Sequence, residues 1–288
     1  METDDTKGRL QVIRATEMGM CFGVKDALEI AATIERPDDV TIHGDLVHNE
    51  EVLRQLSDRG FHMNTETDRH DAVPESPKML VTAHGISDTE RRRLREAGKQ
   101  LIDTTCPLVR RVHLAAQNLH RRGFFVIVIG KRNHVEVQGI IEDLENFTVV
   151  QSVEEVGPYD APKLGVICQS TTAPTDARRI RKEIESRNPD KEIRFVDTIC
   201  DPTRVRQEAI RELLEKVEAV VVVGGRTSNN TKQLVHLAEK RGIPSLHVQS
   251  AEDLDPAWFE PFRVVGLTAG TSTLDSTIDE VYAALLRL

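Results

Sequence analysis

Apolar and polar positions along this chain follow two rhythms that take turns. Three segments place apolar residues at threefold and fourfold spacing, the mark of an amphipathic helix: "CFGVKDALEIAATIE", "CPLVRRVHLAAQNLHRRG" and "CDPTRVRQEAIRELLEKVEA". Each opens at a cysteine, and in two of them a proline stands one or two residues further on, where a helix start tolerates it. A short apolar run ending in a polar turn follows each helix: "VTIHGDLVHNEEV", "FFVIVIGKRNHVEV" and "AVVVVGGRTSNNTKQL". The second and third are continuous enough to predict parallel strands buried on both faces. Each third then holds another strand with its own polar tip, in "KMLVTAHGIS", "KLGVICQSTT" and "RVVGLTAGTSTLD".

These thirds keep register. Cys21, Cys106 and Cys200 lie 85 and 94 residues apart, and the first tips follow them by 27 or 28 residues, at His48, His134 and Ser228. The second tips follow by 63, 65 and 72 residues, at His84, Thr171 and Ser272. Strands alternating with helices predict an α/β protein of three pseudo-symmetric small lobes with mainly parallel sheets, over residues 9–105, 106–199 and 200–288. The N-terminal strand is free to pack with the third lobe instead of the first. Ligands of such sheets bind beyond the carboxyl ends of the strands, where all six tips fall. Packing of the lobes about a pseudo-threefold axis would bring the three cysteines and the tips to one central cavity.

Composition narrows the chemistry. No apolar run approaches the roughly 20 residues of a membrane helix, and the first ten residues are acidic and polar, unlike a signal peptide; the cytoplasm is the expected location. A net charge of −9 argues against a sequence-independent grip on nucleic acid, which needs a basic face. The chain has four cysteines, widely spread and without a C-x-x-C pair, so neither a disulfide framework nor a zinc ribbon is expected. Cys168, inside an apolar strand pattern, reads as core.

The other three cysteines stand at helix starts, where the macrodipole and free N–H groups favour the metal-binding thiolate. Structural zinc usually takes four protein ligands, whereas an iron–sulfur cluster held by three thiolates keeps one iron open. The matched spacing therefore leans towards a cluster. The tips "LVHN", "TAHG", "RTSNNT" and "TAGTS" offer imidazole, hydroxyl and amide donors suited to phosphate oxygens, so an anionic substrate is expected. Among the histidines, His48, His84 and His134 occupy tips, while His43, His62, His70, His113 and His120 do not. Glu136, between Val135 and Val137, is the carboxylate that shares a tip with one of them; it reads equally as a partly desolvated proton donor or as a solvated turn residue.

In order along the chain, "CFGV", "VHN", "AHG", "CPLV", "HVEV", "TIC" followed by "RQEA", "SNNT" and "TAGTS" resemble the landmarks of the 4-hydroxy-3-methylbut-2-enyl diphosphate reductase family, from Cys21 to Ser272. The resemblance implies a three-lobed α/β fold around a central, oxygen-sensitive [4Fe-4S] cluster. It implies reductive removal of an allylic hydroxyl to give isopentenyl and dimethylallyl diphosphates, the last step of the non-mevalonate isoprenoid route. By position, Cys21, Cys106 and Cys200 would bind the cluster. His48, His84, Ser228, Asn229, Asn230 and Ser272 would hold the diphosphate, with His134 beside it. Thr171 and Glu136 would form the relay to the substrate hydroxyl, Glu136 being the proton source.

No G-x-G-x-x-G fingerprint follows a predicted strand, so electrons must come from another protein, and the resemblance implies reduced ferredoxin or flavodoxin. Such acidic donors would need a basic patch; "RRRLR" from Arg91 to Arg95 and the pair Arg121 and Arg122 are candidates, although solvated helix faces explain them too. One competing reading is a diphosphate-binding module without turnover, disfavoured because the three cysteines and Glu136 occur together; another is a zinc hydrolase, which the number of protein ligands would tell apart. The chain departs from the family in Met20 for Phe, Val135 for Pro and Asn229 for Ser, and has "TLDS" after Ser272 where many relatives carry a proline. Phe22 and Gly23 are expected to pack the turn at Cys21.

Overall fold

A computed structural model describes residues 10–65 and 73–288; residue 9, the acidic residues before it and His70 lie outside the described residues. The chain opens with β1 (Gln11–Arg14), α1 (Phe22–Ala32), β2 (Val40–Ile42), α2 (Glu50–Asp58), β3 (His62–Met63), β4 (Lys78–Val81), α3 (Asp88–Glu96) and β5 (Gln100–Asp103). Next come α4 (Pro107–Arg121), β6 (Phe125–Ile129), α5 (Val135–Ile141), β7 (Phe147–Val150), β8 (Lys163–Cys168), α6 (Pro174–Arg187) and β9 (Glu192–Phe195). The final stretch is α7 (Asp201–Leu213), β10 (Ala219–Val223), α8 (Asn229–Lys240), β11 (Ser245–Val248), α9 (Pro256–Phe259), β12 (Val264–Ala269) and α10 (Asp275–Leu285).

The strands form three four-stranded sheets, ordered β3-β2-β4-β5, β7-β6-β8-β9 and β11-β10-β12-β1, with every pairing parallel. In each sheet the chain leaves the first central strand for one edge and then returns on the other side of it. That reversal is a topological switch point, where crevices open at the carboxyl ends of the central pair. Beyond those ends lie His48 and His84, His134 and Thr171, and Ser228 and Ser272. The fourth strand of each sheet leads to a cysteine: β5 to Cys106, β9 to Cys200 and β1 to Cys21. In the third sheet that place is taken by the first strand of the chain, so the structural repeat is cyclically permuted relative to the sequence.

Alternating side chains of the central strands feed two cores, as expected of sheets covered on both faces. Val126 and Val128 of β6 join Val112, Ala116 and Leu119 of α4, while Ile127 and Ile129 join Ala177, Ile180 and Ile184 of α6. In β10, Val221 and Val223 pack with Ile278, Val281 and Leu285 of α10, and Val220 and Val222 with Ile210 of α7 and Leu234 of α8. Each of these valine, leucine and isoleucine side chains contributes roughly 1.5–3 kcal/mol by burial.

By internal contacts the described part of residues 1–21, 48–50 and 201–288 is one compact unit, around the third sheet, and that of 22–47 and 51–200 is another, around the first two. Within the latter, Ser87 caps α3 by accepting from Glu90 N at 2.8 Å and also donates to Glu142. Asp143 accepts from the N–H groups of Asp88 and Thr89 at 2.7 and 3.0 Å, tying α3 to the end of α5. Glu90 is buried between His43 and Arg93. Burial pushes its carboxyl up, but the hydrogen bonds from Arg93 and His43 prevail and leave it at about 2.

This packing corrects the reading of Arg91–Arg95 as a solvated face or free basic patch. Arg91 is paired with Asp103 and Arg93 with Glu90, and Leu94 is fully buried; only Arg92 and Arg95 stand exposed. Among the described residues no helix is long and apolar enough to cross a membrane.

Candidate active site

Helix α5 starts where it does because His134 caps it: its Nδ1 accepts from Glu136 N at 3.1 Å. Glu136 therefore lies in the first turn, and it is only 1% exposed, which excludes the solvated turn residue. Its Oε1 accepts from the N–H of Ser170 at 2.7 Å and its Oε2 from the Ser170 hydroxyl at 2.8 Å. Ser170 directly precedes Thr171 at the tip of β8, and its carbonyl accepts from Cys200 N at 2.9 Å. One residue thus ties the buried carboxyl to the backbone of a candidate ligand. Thr171 is half-buried, with its Oγ1 accepting from Gln169 Nε2 at 3.2 Å.

The tip of β4 adjoins this group. The rings of His84 and His134 meet edge to face, with centroids 5.7 Å apart and planes at 86°. Cys106, at the N-cap position of α4, donates its N–H to Ala83 O at 3.1 Å, next to His84. Cys106, His84, His134, Glu136, Ser170 and Cys200 are therefore linked within one unit.

The other unit gathers Cys21, His48, Ser228, Asn229, Asn230 and Ser272. Ser228 caps α8, its Oγ accepting from Thr231 N at 3.3 Å, and Ser228, Asn229 and Asn230 are all buried at the positive end of that helix. Asn230 Oδ1 accepts from Thr271 N at 3.1 Å, while its Nδ2 is buried without a hydrogen-bond partner among the described residues. A buried amide donor without a protein partner is open to a ligand or water oxygen. Ser272 Oγ donates to His48 O at 3.0 Å, Asn49 Nδ2 donates to Ser272 O at 2.8 Å, and Cys21 N donates to Thr271 O at 3.0 Å.

Sequence reasoning passed over Ser170, Asn49 and Thr271. All three stand inside the quoted tips "CQSTT", "LVHN" and "TAGTS", and the missing signal was which member of each tip faces a neighbouring tip.

None of the four cysteines forms a disulfide. Cys168 is fully buried in β8. The others are half-buried, and each directly precedes a helix: α1, α4 or α7. A Cβ at Gly23 would run into Cys106 Sγ, so this glycine keeps open the space around that thiol. The turn is therefore packed by Gly23 but not by Phe22, which is 47% exposed. The buried stripe of α1 is Gly23, Ala27 and Ala31, at fourfold spacing, and Phe22 lies about 100° off it. Among the described residues no three or more His, Cys, Asp or Glu side chains are set to hold a single metal ion. A cluster does not ask for that, since each thiolate binds a different iron, and soft donors with cleared space fit such a group.

Three parallel four-stranded α/β lobes with buried polar side chains at a switch point in one place, and a buried carboxyl held against a cysteine-bearing turn in another, place the molecule among three-lobed α/β enzymes. Residues 12–286 match the family described as LytB protein, and the chain belongs to that family. It is 31% identical over 279 residues to the 4-hydroxy-3-methylbut-2-enyl diphosphate reductase of Aquifex aeolicus, with 94% of each chain covered. To the enzyme of the same name from Dictyoglomus turgidum it is 34% identical over 284 residues, with 97% of each covered. A solved structure of the E-1-hydroxy-2-methyl-but-2-enyl-4-diphosphate reductase from Plasmodium falciparum matches with a TM-score of 0.86 and 27% identity, over 96% of this chain and 87% of that one. Another, of (E)-4-hydroxy-3-methyl-but-2-enyl diphosphate reductase, the terminal enzyme of the non-mevalonate pathway, matches with 0.66 and 30%, over 97% of this chain and all of that one. The family expected from the ordered motifs is the family found.

Proposed function

We propose that this chain removes the allylic hydroxyl of (E)-4-hydroxy-3-methylbut-2-enyl diphosphate in the cytoplasm. The reaction takes up two electrons and two protons, releases water, and gives isopentenyl and dimethylallyl diphosphates. Cys21, Cys106 and Cys200 would hold one [4Fe-4S] cluster, which supplies electron transfer and an open iron as Lewis acid when bound. The electrons come from reduced ferredoxin or flavodoxin.

The diphosphate is held by His48, His84, Ser228, Asn229, Asn230 and Ser272, with His134 beside it. The unpartnered Asn230 amide and the first turn of α8 offer donors suited to phosphate oxygens. Glu136 gives up the proton that lets the hydroxyl leave as water, and Thr171 passes it on. The observation that carries this reading is the hold of Ser170 on both oxygens of Glu136 together with its bond to Cys200. That hold fixes the carboxyl against the turn that bears Cys200; both oxygens accept from Ser170, so one of them must take up a proton before the group can donate it.

Anaerobic purification with iron and acid-labile sulfide analysis, followed by turnover of the substrate with a chemically reduced viologen, tests the proposal. A brown, active protein is expected. Glu136→Gln should retain iron, sulfide and substrate binding but lose about 10²–10⁴-fold in kcat. A colourless protein with tightly held zinc, or a wild-type rate in Glu136→Gln, overturns the reading.

A further inference from the structure

Arg206 lies in α7, six residues after Cys200, and is buried. Its Nε and Nη2 both donate to the carbonyl of Gly19, at 3.0 and 2.7 Å, and its Nη1 donates to Pro202 O at 3.3 Å. Among the described residues no carboxylate meets this guanidinium. A buried cation served by neutral carbonyls lacks the counter-charge that burial normally demands.

The carbonyl it grips belongs to a special position. Gly19 has φ +76°, in the left-handed region, and a Cβ there would stand 2.7 Å from Ile278 Cδ1. Gly19 N donates to Ala269 O at 3.3 Å, and Cys21 N to Thr271 O at 3.0 Å. The segment from Gly19 to Cys21 is thus pinned by the end of β12 on one side and by Arg206 on the other. Two peptide units separate Gly19 from Cys21, so their Cα atoms lie within about 7–8 Å.

We propose that Arg206 is a positioning residue for Cys21, holding the arm that carries this thiolate and supplying the buried positive charge that balances the group the thiolate binds. The second half rests on the cluster reading above. Local charge and hydrogen bonding set the potential of a cluster, so loss of this cation makes reduction harder.

The test compares wild type with Arg206→Met and Arg206→Lys in two measurements. In cluster-free protein, amide hydrogen exchange from Gly19 to Cys21 should quicken at least tenfold in Arg206→Met and several-fold in Arg206→Lys, which keeps the charge but loses the two-pronged bond, while β10 and β12 keep their protection. In the anaerobically reconstituted protein, the midpoint potential should move to more negative values in Arg206→Met and stay close to wild type in Arg206→Lys. Unchanged exchange at Gly19–Cys21, or an unchanged potential in Arg206→Met, overturns the proposal. Should Arg206→Met lose protection throughout the third sheet, Arg206→Lys decides, and wild-type exchange in that variant is then the overturning result. A wild-type chain that takes up no cluster defeats the functional reading instead, with exchange still deciding whether Arg206 positions the arm.

Discussion

The side-chain amide of Asn49 donates to the main-chain carbonyl of Ser272 at 2.8 Å, and the hydroxyl of Ser272 returns a bond to the carbonyl of His48 at 3.0 Å. Residues 223 positions apart are thereby clasped in both directions, and two tips assigned to the diphosphate are held in one arrangement. Asn49 is buried, so its removal leaves the Ser272 carbonyl without that donor and costs about 1–3 kcal/mol. We expect Asn49→Ala to lower kcat/KM by about tenfold or more, mainly through KM, because the lost contact serves substrate and transition state alike. Steady-state kinetics on the reconstituted enzyme check this; an effect confined to kcat would show that Asn49 acts on chemistry instead.

Ser170→Ala removes one of two bonds to Glu136. The backbone N–H bond at 2.7 Å survives, while the hydroxyl bond at 2.8 Å is lost. The carboxyl stays buried but swings more freely, so kcat is expected to fall about tenfold, well short of the loss in Glu136→Gln. Iron and sulfide per chain should match wild type, because the Ser170 carbonyl that receives Cys200 N belongs to the backbone.

Gly23→Ala puts a methyl group where Cys106 Sγ stands. Alanine suits a helix better than glycine, so the fold should survive with little change in Tm. The thiol must turn aside, however, and iron bound per chain should drop well below wild type. Metal analysis beside thermal denaturation separates these two effects, and full iron content in Gly23→Ala would show that Cys106 has room to spare.

His113 in α4 carries a pH signature. Burial, partly opposed by Asp143, holds its imidazole down at about 4, below the ordinary 6.5. A group whose folded value is depressed stabilises the fold fully above the unfolded value and loses that contribution as pH falls towards the folded one. The window here runs from about pH 6.5 to 4, and the loss across it is roughly 3 kcal/mol. Glu90, held at about 2, extends the loss below the ordinary carboxylate range. Urea denaturation midpoints should fall between pH 7 and pH 5 in wild type and change much less in His113→Phe; equal slopes in the two would remove His113 from the acid response.

Much of this protein is written locally. Helix starts at Cys21, Cys106 and Cys200 and the buried strands follow from patterns within about 15 residues, because helix period and strand alternation are short-range effects, whereas the caps that Ser228 and His134 place on α8 and α5 were seen only in the structure. Those patterns, in order, were enough to expect the three parallel lobes and the family. What the tertiary structure decided depends on contacts that no local pattern contains. The burial of Glu136 follows from β8 lying beside β6, which brings Ser170 over the carboxyl. Arg91 and Arg93 are drawn into ion pairs by Asp103 and Glu90, and Gly23 rather than Phe22 packs the first turn because Cys106 comes to it from another lobe. Strand β1 joins the third sheet through pairing with β12, some 250 residues away, a choice made by which sheet edge lacks a strand and not by the residues of β1 themselves.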